Sequence, residues 1–276
     1  MKLSVVALLF FVLSAQAVNA DELILSVHPF LPANEVKTRF SPLADYLAEQ
    51  IGIKVTVRVG AGYDEHIQAI GKDQVDLAYM GPASYVTLVN QYGNKPTLAR
   101  IEMEGKATFH GYIVTRSDSA INNLDDLKGQ SFAFGDPKST MSYVVPHFML
   151  TQAGVITNDS AEHTFLGSHI NVALAVLSGD YAAGAIKPAV FRKFEAKGLR
   201  IIAVSPEISE HVFVSRTDLP EKTINDLRKA MFTASESAQG VAALKAIKNS
   251  ATGLIPVQDG DYDNLRSIID SLKRTH

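Results

Sequence analysis

Between residues 23 and 91, short β-branched runs alternate with segments of helical period, and this alternation restricts the fold more than any other feature of the chain. Leu23-Ile24-Leu25-Ser26-Val27 reads as a strand. Phe40, Leu43, Leu47 and Ile51 then recur at helical spacing, and Gly52 is a helix stop. Residues 55–59 give a second strand, 63–71 a short helix with Ile67 and Ile70 inward, and 75–79 a third strand. Gly81-Pro82-Ala83-Ser84 opens a further helix through Gln91. This βαβαβα order predicts a mostly parallel sheet with covering helices.

A second unit of the same kind starts near residue 116. It comprises a short helix at 124–127, a strand at 131–134, a helix at 139–153 bent at Pro146, a helix at 171–178 and strands at 182–186 and 199–204. Residues 212–214 read as an extension of that last strand after a turn at Pro206. Helices at 223–237, 240–248 and 262–273 complete the chain. No Pro/Gly/Ser linker divides it. Two α/β lobes joined by extended crossings near 113–117 and 203–214 account for this layout; a single doubly wound domain is the alternative that the pattern leaves open.

The N-terminus bears on location. Met1-Lys2 is followed by an apolar run from Leu3 to Leu13, and Val18-Asn19-Ala20 fits the small-residue pattern of signal-peptidase cleavage. The run is short for a membrane span, and Asp21-Glu22 follows at once. Cleavage after Ala20 removes Lys2 and moves the formal charge from −3 to −4. The chain has no cysteine, which excludes disulfide scaffolds, Cys-ligated metal sites, thiol catalysis and a lipid-bearing N-terminal Cys. A mildly acidic chain also lacks the basic stripe expected of a nucleic-acid binder.

Local catalytic motifs are missing. The eight histidines show no H-E-x-x-H and no pair at metal spacing, so no metal or cofactor is expected. Asp64-Glu65-His66 reads as a solvated face. Gly60-Ala61-Gly62 follows a strand but lacks the third glycine of a dinucleotide loop, and no Ser sits in a G-x-S-x-G elbow.

Two helix openings are more informative. Phe134-Gly135-Asp136-Pro137-Lys138-Ser139-Thr140-Met141-Ser142 places three hydroxyl residues at a helix start that follows a strand. The first turn of a helix leaves N–H groups unpaired at the positive end of the macrodipole, so added hydroxyls form a neutral, donor-rich cup for an oxyanion. One N-cap needs one hydroxyl, and three exceed that need. Gly81-Pro82-Ala83-Ser84-Tyr85 is a second cup of the same design.

The ordered set of Asp76–Tyr85 (DLAYMGPASY), Asn123–Gly129 (NLDDLKG), Phe132–Ser142 (FAFGDPKSTMS) and Gly167-Ser168-His169 resembles the phosphate/phosphite/phosphonate-type periplasmic solute-binding family of ABC transporters. The resemblance runs over roughly residues 23–215. It implies an α/β, type II periplasmic binding protein: two lobes, a two-segment hinge and a ligand cleft between the lobes. The division expected is 1–20 signal peptide, 21–115 first lobe, 116–205 second lobe, and 206–276 returning to the first. The family's oxyanion contacts fall on Ser139, Thr140 and Ser142, with His169 in the G-S-H block and Tyr63 from the first lobe; Ser84 and Tyr85 belong to the second cup. Phe109 stands where phosphonate-binding members carry a Tyr. Lys187 stands near the place where aminoalkylphosphonate binders carry an acid; a lysine there repels an ammonium, which argues against 2-aminoethylphosphonate. Lys187 either complements a second negative charge or extends to solvent.

The expectation is a periplasmic monomer that binds a small tetrahedral oxyanion and delivers it to an inner-membrane ABC permease, without catalysis. Two alternatives keep the fold: a sensor subunit for a membrane kinase or cyclase, and an enzyme acting through a cleft nucleophile.

Overall fold

Three β-branched runs pair in parallel because helices long enough to cross over separate them. β1 (Leu23–Val27) lies between β2 (Val55–Val59) and β3 (Leu77–Met80), with Leu25 opposite both Val57 and Leu77. The crossovers are α1 (Ala33–Ile51) and α2 (Tyr63–Gly71). On α1 the buried Val36, Phe40, Leu43 and Leu47 make one stripe, and Gly52 ends the helix at φ 70° with its N–H on the Ala48 carbonyl. α3 (Pro82–Tyr92) follows with Pro at its first position, then β4 (Thr97–Met103). The computed structural model describes residues 22–155 and 163–274; the expected signal peptide, 1–20, lies outside them.

The chain then crosses through β5 (Thr108–Phe109) into a second sheet. Its elements are β6 (Tyr112–Arg116), β7 (Phe132–Phe134), a wide π-type turn at Thr140–Val144 leading into α4 (Val145–Gln152), β8 (His163–Phe165), α5 (His169–Ser178), β9 (Ala183–Ile186), α6 (Pro188–Phe194) and β10 (Leu199–Val204). The strand order is β10-β6-β9-β7-β8. The return runs through β11 (Ile208–Ser209), which pairs antiparallel with β5, so the two crossings are hydrogen-bonded to each other. β12 (Val212–Ser215), α7 (Glu221–Phe232), α8 (Ala238–Ile247), β13 (Ala251–Ile255) and α9 (Asp263–Arg274) rejoin the first sheet, whose order is β13-β4-β12-β3-β1-β2.

Several expectations need correction. Residues 113–117 are not a crossing, since 113–116 belong to β6 within the second sheet. Residues 212–214 do not extend β10; β12 slots between β3 and β4, antiparallel to both, so the first sheet is mixed rather than mostly parallel. β4 and β13 escape the sequence pattern because bulges interrupt their period of two. Phe213 and Val214 pair with Ala99 and Thr97, leaving Leu98 extra, and Thr252 is extra opposite Glu102 and Met103.

Each sheet has apolar residues on both faces. One cluster joins Leu25, Phe40, Leu47, Phe213, Leu227 and Leu244. The cluster on the other face, with Ile67, Met80, Tyr85 and Leu265, also takes in Met141, Val144 and Val145 from the second lobe. The lobes therefore share an apolar seam. That seam holds the start of the helix at Thr140 against the start of α3, which is what positions the site.

Candidate ligand site between the lobes

In open α/β sheets the crevice beyond the carboxyl ends of the strands is where loops converge on ligands. Here those ends deliver His28 after β1, Gly60–Gly62 after β2 and Gly81 after β3. Because α3 starts at Pro82, the N–H groups of its first turn point back to this crevice. One of them, Ala83 N–H, donates across the lobes to Thr140 Oγ1 at 3.0 Å. The Ser84 hydroxyl is 1% exposed and has no hydrogen-bond partner among the described residues.

The opposing loop is shaped by close approach. A Cβ on Gly135 would lie 2.4 Å from Ser142 Oγ, so only glycine fits there. Gly135 N–H donates to the Ser142 carbonyl, and Asp136 Oδ1 accepts from Lys138 N–H at 2.7 Å, closing a tight turn. Ser139 caps the helix by accepting from Ser142 N–H at 3.2 Å, and its Oγ lies 3.5 Å from His169 Nε2. Thr140 accepts from Ala83 N–H, so its own hydroxyl proton remains available to donate.

His169 opens α5 and accepts Lys187 N–H at Nδ1, 3.1 Å away. Its neutral form therefore carries the proton on Nε2, aimed toward Ser139. Burial first, then the positive charge of Lys187, holds its pKa well below the usual imidazole range, so it is a neutral donor. His28, 3% exposed, has Nδ1 3.1 Å from the Tyr79 carbonyl. His211 stacks on His28 at 5.4 Å, and its Nδ1 is 2.8 Å from Glu210 Oε2. Burial pushes Glu210 up, but its hydrogen bonds to His211 and that ring's charge outweigh it and keep the carboxyl below its ordinary value.

Lys187 reaches across the cleft, with Nζ 5.1 Å from the Phe30 ring centroid in a cation–π contact. Burial, followed by repulsion from Lys248, Arg39 and Lys193, lowers its pKa to about 8. Tyr63 begins α2 with its ring 5.5 Å from His28; burial and then the Asp136 carboxylate raise its phenol pKa. Tyr63 also borders a cavity of about 320 Å³ formed by Gly62–Glu65 and Asp136–Lys138, where Lys138 meets Asp64 at 3.4 Å.

Ser139, Thr140, Ser84, His169, Tyr63 and Lys187 thus converge on one cleft. Phe109 sits on the crossing strand β5, 5.5 Å from His211. Two expected residues point elsewhere. Tyr85 is fully buried against Tyr262, and its hydroxyl donates to Asp259 at 2.8 Å, because the helical turn rotates it into the core. Ser142 donates its hydroxyl proton to the Ala185 carbonyl at 2.7 Å, so it has none for an oxyanion. Of 64–66 only Asp64 faces solvent: His66 is fully buried and 2.9 Å from Ser26 Oγ, while Glu65 pairs with Arg58. His28, His211 and Glu210 were not foreseen. Their one sequence signal is position, just beyond β1 and just before β12, and it has meaning only once those strands are known to be neighbours of β3.

A family model described as the periplasmic substrate-binding protein of phosphonate ABC transporters matches residues 25–262. The chain belongs to this family. It is 30% identical to the phosphate-import protein PhnD of Mycolicibacterium smegmatis, over 91% of this chain and 85% of that one. Identity to a probable phosphite-binding protein, PhnD1, of Prochlorococcus marinus is 26%, over 78% and 77% of the two chains. The solved structure of P. marinus PhnD1 with methylphosphonate superposes with a TM-score of 0.81 at 22% identity, covering 92% of this chain and 99% of that one. The fold is that of a type II periplasmic binding protein, and the family serves ABC import in the periplasm.

Proposed function

We propose that this chain captures a small tetrahedral oxyanion (phosphate, phosphite or an alkylphosphonate) between its lobes and presents it, closed, to an inner-membrane ABC permease. The reading rests above all on one observation: two helix starts from opposite lobes meet at Ala83 and Thr140, beside the buried, unpaired hydroxyl of Ser84. Ser139, Thr140, Ser84 and the Nε2–H of His169 are the donors, and Tyr63 closes the side of the site. Neutral donors in a water-poor cleft hold the anion by hydrogen bonds, and the Lys187 ammonium adds a positive charge beside them. The β5–β11 ladder is the hinge, and closure selects the liganded state. Export with cleavage after Ala20 yields a mature N-terminus at Asp21, readable by intact mass.

Thermal shift and titration calorimetry against phosphate, phosphite, methylphosphonate, 2-aminoethylphosphonate and sulfate test the reading. A ligand specific for the native state raises apparent stability by mass action. The Ser139→Ala/Thr140→Ala double variant is expected to lose roughly 2–5 kcal/mol of binding, about 30- to 4,000-fold. Unchanged oxyanion affinity in that variant refutes the site.

A further inference from the structure

The cleft histidines are not interchangeable, because the backbone fixes which nitrogen of each ring carries the proton. A carbonyl only accepts, so the 3.1 Å contact of His28 Nδ1 with the Tyr79 carbonyl puts the proton on Nδ1. In the neutral ring Nε2 is then a bare lone pair. His169 is the reverse, since its Nδ1 accepts from Lys187 N–H and its Nε2 donates.

His28 cannot readily turn over to exchange its nitrogens. Phe30 at 4.9 Å, Tyr79 at 5.6 Å and His211 at 5.4 Å enclose its ring. Its Nε2 is directed at the start of α3: a Cβ placed on Gly81 would lie 4.0 Å from it and 3.7 Å from His211 Nε2. A lone pair therefore stands among the donors at the mouth of the anion cup.

We infer that His28 accepts a hydrogen bond from the ligand through Nε2 and thereby selects tetrahedral oxyanions that carry a proton on oxygen, excluding sulfate and sulfonates. This rests on the oxyanion reading above. A hydrogen phosphate or a monoprotonated phosphonate offers a P–OH donor and several acceptor oxygens, which match an imidazole lone pair set among donors. Sulfate at neutral pH has only acceptors, so one of its oxygens faces the imidazole lone pair in a site from which water is excluded. A site built to hydrogen-bond a ligand hydroxyl rejects the analogue lacking it far more strongly than an apolar pocket rejects a size change.

Protonation of His28 would remove the selectivity by turning Nε2 into a donor. Burial opposes it most, followed by the neighbouring charge of His211 on the approach to β12 and of His66 on α2, and Lys187 at the start of α6 adds to it; the bond to the Tyr79 carbonyl acts the other way. Tyr63, Tyr79 and Glu210 are other titratable groups around this end of the cleft.

Titration calorimetry of the mature chain decides the matter. At pH 7 phosphate is expected to bind at least a hundredfold more tightly than sulfate, and methylphosphonate similarly against methanesulfonate. Between pH 6 and 9 the phosphate-to-methylphosphonate affinity ratio is the sharper readout. Phosphate keeps a proton across that range, whereas methylphosphonate loses its last one, so the ratio should climb about tenfold per pH unit above the phosphonate's second ionisation. The Lys187 charge, lost within this range, weighs more on the dianionic phosphate than on the monoprotonated phosphonate, so the ratio is read in Lys187→Met as well, where that titration is removed. In His28→Gln, whose amide can turn a donor toward the ligand, sulfate affinity should rise at least tenfold and the ratio should flatten. A wild-type protein that takes sulfate within threefold of phosphate, or shows a flat ratio, overturns the role of His28 while leaving the oxyanion site standing. Failure of all four anions and of phosphite to bind is a different result and overturns the oxyanion reading itself.

Discussion

Thr140 and Ser142 are two residues apart in one hydroxyl-rich turn, yet the structure commits their hydroxyls oppositely, and this contrast is the most direct check on the donor assignment. In Thr140→Val the shape is nearly retained while the hydroxyl is lost. A hydrogen bond to a charged ligand contributes roughly 1.5–3 kcal/mol. Ala83 N–H, at 3.0 Å from Thr140 Oγ1, also loses its acceptor, but in the bound state it is free to meet the ligand oxygen, which offsets its own desolvation. The net expectation is a loss of about 1.5–3 kcal/mol, or roughly 10- to 150-fold in affinity. In Ser142→Ala the bond lost is the 2.7 Å contact with the Ala185 carbonyl, which contributes to folding rather than binding. That variant should lose about 1–2 kcal/mol of stability and keep its ligand affinity within about threefold. Calorimetry with phosphate at constant ionic strength, paired with urea unfolding, reads both quantities. Wild-type affinity in Thr140→Val, or a larger affinity loss in Ser142→Ala at unchanged stability, refutes the assignment.

Gly135→Ala places a methyl 2.4 Å from Ser142 Oγ and should cost about 2–3 kcal/mol in urea unfolding, since both atoms are held by the loop's own hydrogen bonds. Tyr85→Phe should lower stability by about 1 kcal/mol through loss of the Asp259 contact while leaving oxyanion affinity unchanged; a drop in affinity at unchanged melting temperature would return Tyr85 to the cleft. Burial lowers His66 to about 4 from 6.5, so below pH 6.5 the unfolded chain binds the extra proton. Stability should therefore fall as pH drops from 6.5 to 4, by about 3 kcal/mol from this residue, and His66→Gln should flatten that limb in pH-dependent unfolding.

Much of the site was visible in the linear chain because its parts are local. A glycine, an Asx turn and a run of hydroxyls after a strand build a donor cup from eight neighbouring residues, whatever the rest of the protein does. Ser139 and Thr140 belong to such a unit, and Ser84 to its counterpart on α3. Side-chain direction within the turn is another matter. Tyr85 and Ser142 share the composition of the cups, but the helical rotation at their positions sends one to Tyr262 and the other to Ala185. Lys187 was placed near the cleft by resemblance alone, and only the approach of the two lobes at the start of α6 brings its ammonium over Phe30.

Periodicity and the glycine and proline positions were enough to determine an α/β chain of two units of the same kind with hydroxyl-rich turns at two helix starts. Those features depend on interactions within a turn or two of the backbone. The tertiary structure decided what depends on distant pairing. It inserted β12 between β3 and β4, bulged β4 and β13 out of a clean alternation, and joined the crossings as β5 and β11. That insertion brings Glu210 and His211, at the head of β12, alongside His28 at the end of β1, 183 positions earlier than His211 in the chain. A histidine's proton sits where its neighbours demand it, and for His28 and His169 those neighbours are the backbone groups of Tyr79 and Lys187, distant in sequence and adjacent only in the fold.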